Sequence, residues 1–362
     1  MRRIVINGRF LSQRPTGVQR YARQLVLAMD RQLSANPNDG GAESWMLLAP
    51  PGVDPGSIRL KHIAVTTGGR GGGHLWEQTS LAMLAGKCTL LNLGNSGPVL
   101  HPRSVTVIHD AVVYRRPLQF APAYRILHQA LGRILVRTST LATVSEFSRA
   151  ELADVLSVPA SAIALVPNGC DHMSRHEGPS PVLERLGVVA GHYFLFVGSP
   201  APHKNLKTAL AAFAALDRPG YKFIICGSAQ ASVFGDAMLE AHADVIRAAD
   251  LADAEISALY ASACAFVFPS LYEGFGIPPL EAMVHGCPVL ASDIAPCREV
   301  CGTAAAYFAP EKADELVALM RGLTDHPARR GEMAARGQVR QQLFRWSDSA
   351  SLMIELLRRV AC

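Results

Sequence analysis

The chain has 362 residues, of which 49% are hydrophobic and 18% are charged, and its formal net charge is +5. This length and composition predict a compact globular protein of two domains. No apolar run reaches the roughly 18 residues that a membrane-spanning helix needs, so no membrane-spanning helix is predicted. The basic start, residues 2–6, lacks the apolar core of a signal peptide, and we therefore expect a cytoplasmic protein.

The two halves of the chain differ in charge. Residues 1–180 hold 19 Lys and Arg against 11 Asp and Glu, a balance of +8, whereas residues 181–362 hold 16 against 19, a balance of −3. The basic half indicates either an anionic partner or an ordinary solvated basic face.

Apolar strand-like runs alternate with helix-length segments, which is the pattern of doubly wound α/β domains. In the first half, a helix is predicted at 17–29 from apolar residues at 3.6-residue spacing, and strands at 3–6, 45–49, 105–108, 141–144 and 163–166. The polar, proline-rich segment 171–181 predicts an interdomain linker. Strands follow at 193–197, 223–226, 265–268 and 289–291. The glycine-dense segment 68–73 predicts a mobile loop.

The most informative stretch, 272–281, reads Tyr-Glu-Gly-Phe-Gly-Ile-Pro-Pro-Leu-Glu and follows the strand at 265–268. Proline is favoured at the start of a helix, so the pattern predicts a helix from about Pro279, with Glu281 in its first turn. A helix N-terminus suits a phosphate, and the carboxylates of Glu273 and Glu281 can accept hydrogen bonds from sugar hydroxyls. The stretch therefore predicts a nucleotide-sugar site, the alternative being a structural loop with a capping carboxylate.

This stretch resembles the motif of two glutamates, separated by seven residues, of retaining glycosyltransferases of family 4. The resemblance implies that Glu273 contacts the donor sugar and Glu281 the nucleotide ribose. It also implies that the loop between them binds the donor through Gly274, Phe275, Gly276 and Ile277.

The resemblance implies the GT-B fold, an α/β fold of two doubly wound Rossmann-like domains facing a cleft. The expected domains are an acceptor domain at 1–172, a linker at 173–190 and a donor domain at 191–342. Residues 343–362 are expected to form a C-terminal helix that crosses back to the first domain, because the string Phe344-Arg345-Trp346 resembles the start of that helix in the family.

Three further residues are candidates for the donor site by the same resemblance. Lys204 precedes a helix predicted from Leu206 with Asn205 as its cap, and the resemblance implies that Lys204 contacts the diphosphate. A solvated lysine is the alternative. Gly198, at a strand end, and Gly17, before the first helix, are expected to let the backbone approach the donor. For Gly17 the alternative is a plain turn.

A histidine and an aspartate stand at the end of the strand at 105–108. His109 matches the family histidine that approaches the donor sugar near the reaction centre, and Asp110 is expected to orient the imidazole; a structural histidine is the alternative. Ser145 is predicted to cap the next helix.

The resemblance implies transfer of a hexose with retention of configuration, without a metal ion and without a cofactor beyond the donor. Among the eight cysteines, Cys297 and Cys301 are close, but no second pair completes a zinc site, so buried reduced thiols are expected. The string at 15–21, that at 75–78 and the length resemble bacterial mannosyl- and rhamnosyltransferases. The first expectation is therefore GDP-mannose, or another nucleoside-diphosphate hexose, and a lipid-linked surface polysaccharide as acceptor, with no nucleic acid.

Three alternatives to this activity stay open. They are a sugar-nucleotide epimerase, a phosphorylase, for which no segment indicates a pyridoxal-binding lysine, and a nonenzymatic sugar-nucleotide sensor. A separate feature concerns membranes: residues 111–143 contain five arginines among apolar residues and no acidic residue. This segment predicts either docking on an anionic membrane surface or an ordinary core-packed helix with a solvated arginine face.

Overall fold

A computed structural model describes residues 2–35, 43–173, 180–199, 201–227 and 243–361. The chain divides into two compact units, one made of Met1–Gly169 with Arg345–Cys362 and the other of Cys170–Phe344. The middle of the expected linker, 174–179, lies outside the described residues. The short helix Pro181–Arg185 belongs to the second unit. This unit therefore begins before residue 191, the first residue that the sequence predicted for the donor domain.

The described part of the first unit contains a sheet of seven parallel strands in the order β3-β2-β1-β4-β5-β6-β7. The strands are β1 Arg2–Asn7, β2 Glu43–Ala49, β3 Ala64–Thr67, β4 Thr89–Asn92, β5 Ser104–Val107, β6 Thr140–Thr143 and β7 Ile163–Leu165. The helices are Gly17–Ala35, Gly73–Trp76, Ala82–Ala85, Val112–Arg115, Pro122–Thr138, Glu146–Leu156 and Trp346–Val360. A wider helical turn, Glu77–Leu81, joins the second and third of these helices.

In the second unit, the described residues form a sheet of six parallel strands in the order β10-β9-β8-β11-β12-β13. The strands are β8 Tyr193–Val197, β9 Lys222–Gly227, β10 Val245–Ala249, β11 Ala265–Phe268, β12 Val289–Ser292 and β13 Ala305–Phe308. The helices are Pro181–Arg185, Leu206–Leu216, Asp253–Ser262, Ile277–Val284, Ala295–Cys301, Ala313–Asp325 and Ala328–Gln341. Both units thus have the doubly wound α/β architecture that the sequence predicted.

Strand order reverses beside β1 in the first sheet and beside β8 in the second. In the first sheet β1 pairs with β4, with Ile6 opposite Leu91, and in the second β8 pairs with β11, with Leu195 opposite Phe266. Ligands of open α/β sheets bind beyond the carboxyl ends of the strands at such a reversal. A ligand site is therefore expected at the ends of β1 and β4 and at the ends of β8 and β11.

The central strands are buried on both faces, which explains their continuous apolar sequences. All four residues of β11 and of β12 are buried. The helix Gly17–Ala35 buries one face, including Tyr21, Leu25 and Met29, and it continues beyond residue 29 because Leu33 extends the buried stripe.

The helix Trp346–Val360 belongs to the first unit and packs on the helix Gly17–Ala35. The buried Trp346 ring lies 5.7 Å from the Tyr21 ring, and the Ser349 hydroxyl donates to the Pro167 carbonyl at 2.7 Å. Gly169 lies so close that a Cβ on it would come within 2.4 Å of the Trp346 nitrogen. No helix of the described ranges is long and apolar enough to cross a membrane.

The glycine-dense segment 68–73 is held by the helix that follows it. The Trp76 indole N–H donates to the Gly68 carbonyl at 2.8 Å, and the Arg70 N–H donates to the Ser80 hydroxyl at 3.0 Å. The sequence predicted a mobile loop here because glycine composition alone does not show these side-chain contacts.

Candidate functional site

The loop after β11 ends at Gly276, which caps the helix Ile277–Val284 with a φ of +99°. A side chain is strained at this φ, so the turn requires glycine. The helix begins at Ile277 and not at Pro279, so the prediction that Glu281 lies in the first turn is wrong. Proline is tolerated throughout a first turn, where the N–H groups have no intrahelical partner, and its presence therefore could not fix the first residue.

The two prolines restrict how this helix start can bind an anion. Because Pro278 and Pro279 have no N–H, the donors can come only from the residues before them. The side chains of Phe275 and Ile277 are buried, with the Phe275 ring 5.7 Å from that of Phe344. These residues and Gly276 can therefore offer a ligand mainly their backbone N–H groups.

Glu273 and Lys204 form an ion pair beside this helix start. The Lys204 ammonium lies 2.7 and 3.0 Å from the two Glu273 carboxylate oxygens, and the Ser270 hydroxyl donates to one of them at 2.5 Å. The side chains are only 19% and 11% exposed. The structure thus brings together the residues predicted to contact the diphosphate and the sugar, and each neutralises the other.

Asn205 stands before the helix Leu206–Leu216, as predicted, but its side chain does not cap the helix N–H groups. Its φ is +53°, and its amide donates to the carbonyls of Pro269 and Pro310 at 3.0 and 2.7 Å. The left-handed backbone turns the amide towards the loops that follow β11 and β13, so Asn205 fixes those loops beside Lys204. Gly198 donates its N–H to the Cys226 carbonyl at 2.9 Å.

Glu281 is a buried carboxylate, 6% exposed, with two partners that the sequence did not indicate. The Tyr260 hydroxyl donates to one oxygen at 3.4 Å, and His172 Nε2 lies 3.4 Å from the other. These partners come from a distant helix and from the turn after Gly169, so no local motif could have revealed them.

In the first unit, His109 is 7% exposed, and its Nε2 lies 2.9 Å from the Leu93 carbonyl. Since a carbonyl only accepts, Nε2 carries the proton and Nδ1 is an acceptor. Burial lowers the pKa of His109 to about 4, so the ring is neutral at neutral pH. The Tyr21 ring meets its edge at 4.7 Å.

The Asp110 carboxylate, which the sequence predicted to orient the His109 ring, accepts the Val112 N–H at 2.9 Å. The role of Asp110 towards His109 stays a prediction. Gly17 begins its helix in open space, since a Cβ there would meet no atom within 4 Å. Ser145 accepts the Ser148 N–H at 2.9 Å and caps the helix Glu146–Leu156, as predicted.

A second ion pair, which the sequence did not indicate, lies at the ends of β1 and β4. Arg9 Nε lies 3.1 Å from a Glu77 oxygen, and the side chains are 7% and 1% exposed. The Asn7 amide donates to Glu77 at 2.8 Å and to Asn92 at 3.0 Å, so this network crosses the strand reversal. Burial alone would raise the pKa of Glu77. Hydrogen bonding to His74 and the charge of Arg9 outweigh burial and hold this pKa below its ordinary value.

The described cysteines are free thiols, and all are buried except the half-buried Cys88. Burial raises the pKa of Cys226 and of Cys301 to about 12. Cys362 lies outside the described residues. Within the described ranges, no group of three or more His, Cys, Asp or Glu side chains could hold a metal ion.

Two doubly wound parallel units define the GT-B architecture. The structure resembles sucrose-phosphate synthase from Thermosynechococcus elongatus, with a TM-score of 0.74 and 16% identity over 99% of each chain. It also resembles HepE from Anabaena in complex with UDP and glucose, with a TM-score of 0.72 and 18% identity over 99% of this chain and 100% of that one. For WaaG, a glycosyltransferase involved in lipopolysaccharide biosynthesis, the TM-score is 0.71 and the identity 15%, over 99% of each chain. At these identities the likeness establishes the fold.

Sequence relatives give the family. The model described as glycosyl transferases group 1 matches residues 189–340. O-antigen chain mannosyltransferase B of Escherichia coli is 30% identical over 266 residues, which cover 70% of this chain and 69% of the relative. O-antigen chain mannosyltransferase RfbU of Salmonella typhimurium is 28% identical over 225 residues, 59% of this chain and 58% of the relative. The chain belongs to the group 1 glycosyltransferases, and the resemblance predicted from its sequence is confirmed.

Proposed function

We propose that this glycosyltransferase moves a hexose from a nucleotide sugar to a growing surface polysaccharide, with retention of configuration and without a metal ion. GDP-mannose is the donor we expect, and the acceptor is a lipid-linked glycan. The names of the O-antigen mannosyltransferase relatives support the mannose and the polysaccharide. The HepE structures contain UDP and UDP-glucose, so the nucleotide base is the first property to test.

The Lys204–Glu273 pair beside the Gly276 turn is the observation that carries this proposal. A diphosphate offers the Lys204 ammonium a stronger anionic partner, and a lysine is a flexible point charge that can turn towards it. Glu273 is then released to accept hydroxyl hydrogen bonds from the donor sugar. Backbone N–H groups of Gly276 and Ile277 add donors where negative charge develops on the leaving group.

Glu281 is suited to bind the ribose of the donor. Its buried carboxylate is held in place by Tyr260 and His172, yet each carboxylate oxygen has two lone pairs, so ribose hydroxyls can also donate to it. Glu281→Ala is therefore expected to weaken nucleotide binding more than binding of the free sugar.

A thermal-shift panel of UDP-, GDP-, ADP- and dTDP-sugars tests the donor. A ligand at a hundredfold excess over its dissociation constant stabilises the folded state by about 2.7 kcal/mol, and GDP-mannose should give the largest shift. Release of the nucleoside diphosphate is then followed with and without acceptor. Stabilisation without any turnover would indicate a sensor, and no stabilisation by any of these donors would reject the donor site.

We also propose that the first unit docks on an anionic membrane surface through the helix Pro122–Thr138. The helix turns Leu131 and Leu135 into the core but leaves Ile126 62% and Ile134 42% exposed. Arg133 and Arg137 are exposed as well. Such a surface can insert apolar groups while its arginines attract anionic headgroups, each contributing about 1 kcal/mol.

Flotation with anionic and neutral vesicles at low and high salt tests this docking. The wild type should float with anionic vesicles at low salt, and the double variant Arg133→Glu/Arg137→Glu should not. Arg149→Glu is a control on the next helix. If the wild type does not float with anionic vesicles at low salt, membrane docking is rejected and a soluble acceptor is favoured.

A further inference from the structure

The Glu281 carboxylate has a protein partner on each of its two oxygens, and both partners are side chains of the second unit. His172 Nε2 lies 3.4 Å from Oε1, and the Tyr260 hydroxyl donates to Oε2 at 3.4 Å. The side chains of His172 and Glu281 are only 3% and 7% exposed. Because an ionised carboxylate only accepts hydrogen bonds, the histidine presents a protonated Nε2 to it. Contacts on both oxygens fix the rotation of the carboxylate plane.

The turn that carries His172 is tied to a segment that packs on the loop after β11. The Cys170 N–H donates to the Phe344 carbonyl at 3.0 Å, and the Met173 N–H donates to the Cys170 carbonyl at 3.2 Å and closes the turn. The Phe344 ring in turn lies 5.7 Å from the ring of Phe275. The histidine therefore projects from a turn whose backbone is held in place.

Tyr260, the second partner, is fixed by the rings around it. Its side chain is fully buried. The Tyr260 ring meets the Phe266 ring edge to face at 5.3 Å and stacks on the His285 ring at 5.8 Å. Since Phe266 belongs to β11, the phenol hydroxyl has a fixed position relative to the loop that follows this strand.

Stability alone does not account for this arrangement. A carboxylate that leaves water carries a desolvation penalty, and a buried polar cluster is often no more stable than apolar residues of similar volume. The neighbours of Glu281 in the same helix, Leu280, Ala282 and Met283, are apolar and buried. This helix starts at the carboxyl end of β11, beside the reversal of strand order, where open α/β sheets bind their ligands. The two contacts therefore indicate a carboxylate that is oriented for a ligand.

We propose that His172 and Tyr260 are positioning residues of the donor site, which orient Glu281 to accept the two adjacent hydroxyls of the donor ribose. A carboxylate has about four lone-pair sites, so each oxygen can accept one ribose hydroxyl besides its protein partner. A carboxylate that rotated freely would lose conformational entropy on binding, and a carboxylate held in place avoids this cost. This inference rests on the proposed ribose contact of Glu281 and adds the residues that select a ribose over a sugar without these hydroxyls.

Calorimetry with GDP and 2′,3′-dideoxy-GDP tests the positioning, because these nucleotides differ only in the ribose hydroxyls. UDP and 2′,3′-dideoxy-UDP replace them if UDP binds the wild type more tightly. His172→Leu should weaken GDP binding about tenfold, the loss of one hydrogen bond to a charged group, and leave dideoxy-GDP binding unchanged. His172→Gln retains an N–H donor and should keep most of the GDP affinity. The control His192→Leu, at an exposed histidine of the same unit, should change neither affinity.

Two further variants keep the test decisive if His172→Leu does not fold. Tyr260→Phe removes a single hydroxyl and should also weaken GDP binding without weakening dideoxy-GDP binding. In a Glu281→Ala background, His172→Gln and Tyr260→Phe should cause no further loss of GDP affinity, since the group that they position is absent. The Tm of each variant verifies that the proteins compared are folded.

The possible failures are distinguishable. If the wild type binds neither GDP nor UDP, the proposed donor site is rejected. If it binds GDP and dideoxy-GDP equally, the ribose contact and its positioning are rejected while donor binding stands. If it prefers GDP and both His172→Leu and Tyr260→Phe keep that preference, the positioning alone is rejected. An equal loss in His172→Leu and His172→Gln would also overturn it, because the donated hydrogen bond would then not be the cause.

Discussion

The two units place an ion pair at the same point of the same fold but build it differently. In each sheet the cation follows the first strand of the unit, Arg9 after β1 and Lys204 after β8, close to the reversal of strand order. Glu77 is 1% exposed and also receives hydrogen bonds from Asn7, whereas Glu273 is 11% exposed and has Ser270 as its further donor.

This difference indicates how one architecture separates two tasks. Arginine holds a carboxylate with a planar fork of donors, so the Arg9 pair is a fixed framework. Lysine is a mobile point charge, so the Lys204 pair can open for a ligand that brings a diphosphate. Variants that disturb each pair should therefore act on stability in the first unit and on ligand binding in the second.

The largest expected effect is on stability, from Arg9→Met. This change leaves the Glu77 carboxylate buried without its cation and should lower the free energy of unfolding by about 3–5 kcal/mol. Lys204→Met should cost less, since Glu273 keeps its contact with Ser270 and with solvent. Urea unfolding of both variants measures the difference, and an equal loss would contradict the comparison.

The pH dependence of the same variant sharpens this test. In the wild type the pKa of Glu77 is lowered, so its stabilisation is present above the ordinary carboxyl pKa and is lost as the pH falls through the lowered value. In Arg9→Met the carboxyl is buried without the Arg9 cation, and protonation relieves the cost. The stability gap between variant and wild type should therefore narrow as the pH is lowered from 7 towards 4.

Glu273→Gln should have the largest effect on catalysis. The amide keeps the shape and the hydrogen bond from Ser270 but removes the charge that balances Lys204 and that we propose to contact the sugar. We expect a loss of turnover on the order of 100-fold with little change in Tm. Rates at saturating donor measure this, with Glu311→Gln, on the loop after β13, as a control. Unchanged kinetics would remove Glu273 from the donor site.

Lys204→Ala should weaken binding of a nucleoside diphosphate more than binding of the nucleoside. A hydrogen bond to a charged group contributes roughly 1.5–3 kcal/mol, so the affinity for GDP should fall by about 10- to 100-fold. Calorimetry with GDP and guanosine measures the difference. The exposed Lys207, in the first turn of the helix that follows, gives the matched control Lys207→Ala. Equal losses for both ligands would reject the phosphate assignment.

The sequence predicted most of the central strands, because strands buried on both faces are usually continuous apolar runs. The strands Tyr193–Val197 and Ala265–Phe268 agree with the prediction residue for residue. The strands Ala64–Thr67, Val245–Ala249 and Ala305–Phe308, at the sheet edges, were missed because many of their residues are only partly buried and their apolar runs are short. The central strand Thr89–Asn92 was also missed, since its four buried residues include only two apolar ones, Leu90 and Leu91.

For the candidate sites, local motifs were informative and distant partners were not. The glycines, prolines and carboxylates of the segment 272–281 indicated a site from the sequence alone. The Arg9–Glu77 pair joins residues far apart in the chain. Glu77 lies in the string at 75–78, but that string did not indicate Arg9 as its partner. No sequence pattern indicated the wider helical turn Glu77–Leu81, although such turns often occur at functional sites.

The smallest effect on stability is expected from Gly17→Ala, in the first unit, and Gly276→Ala, in the second, is its comparison. Gly17→Ala distinguishes a role of Gly17 as a helix start from a role in donor binding. Gly276→Ala places a side chain at a φ of +99° and should cost about 1–2 kcal/mol of stability. Gly17→Ala meets no atom within 4 Å, and alanine is the better helix former, so stability should stay the same or rise by up to about 1 kcal/mol. If the donor phosphates approach the Gly17 backbone closely, this stable variant should nevertheless have a raised donor KM. A Gly17→Ala enzyme with wild-type donor kinetics would show that residue 17 is only a helix start, and the phosphate contacts would then be sought in the second unit alone.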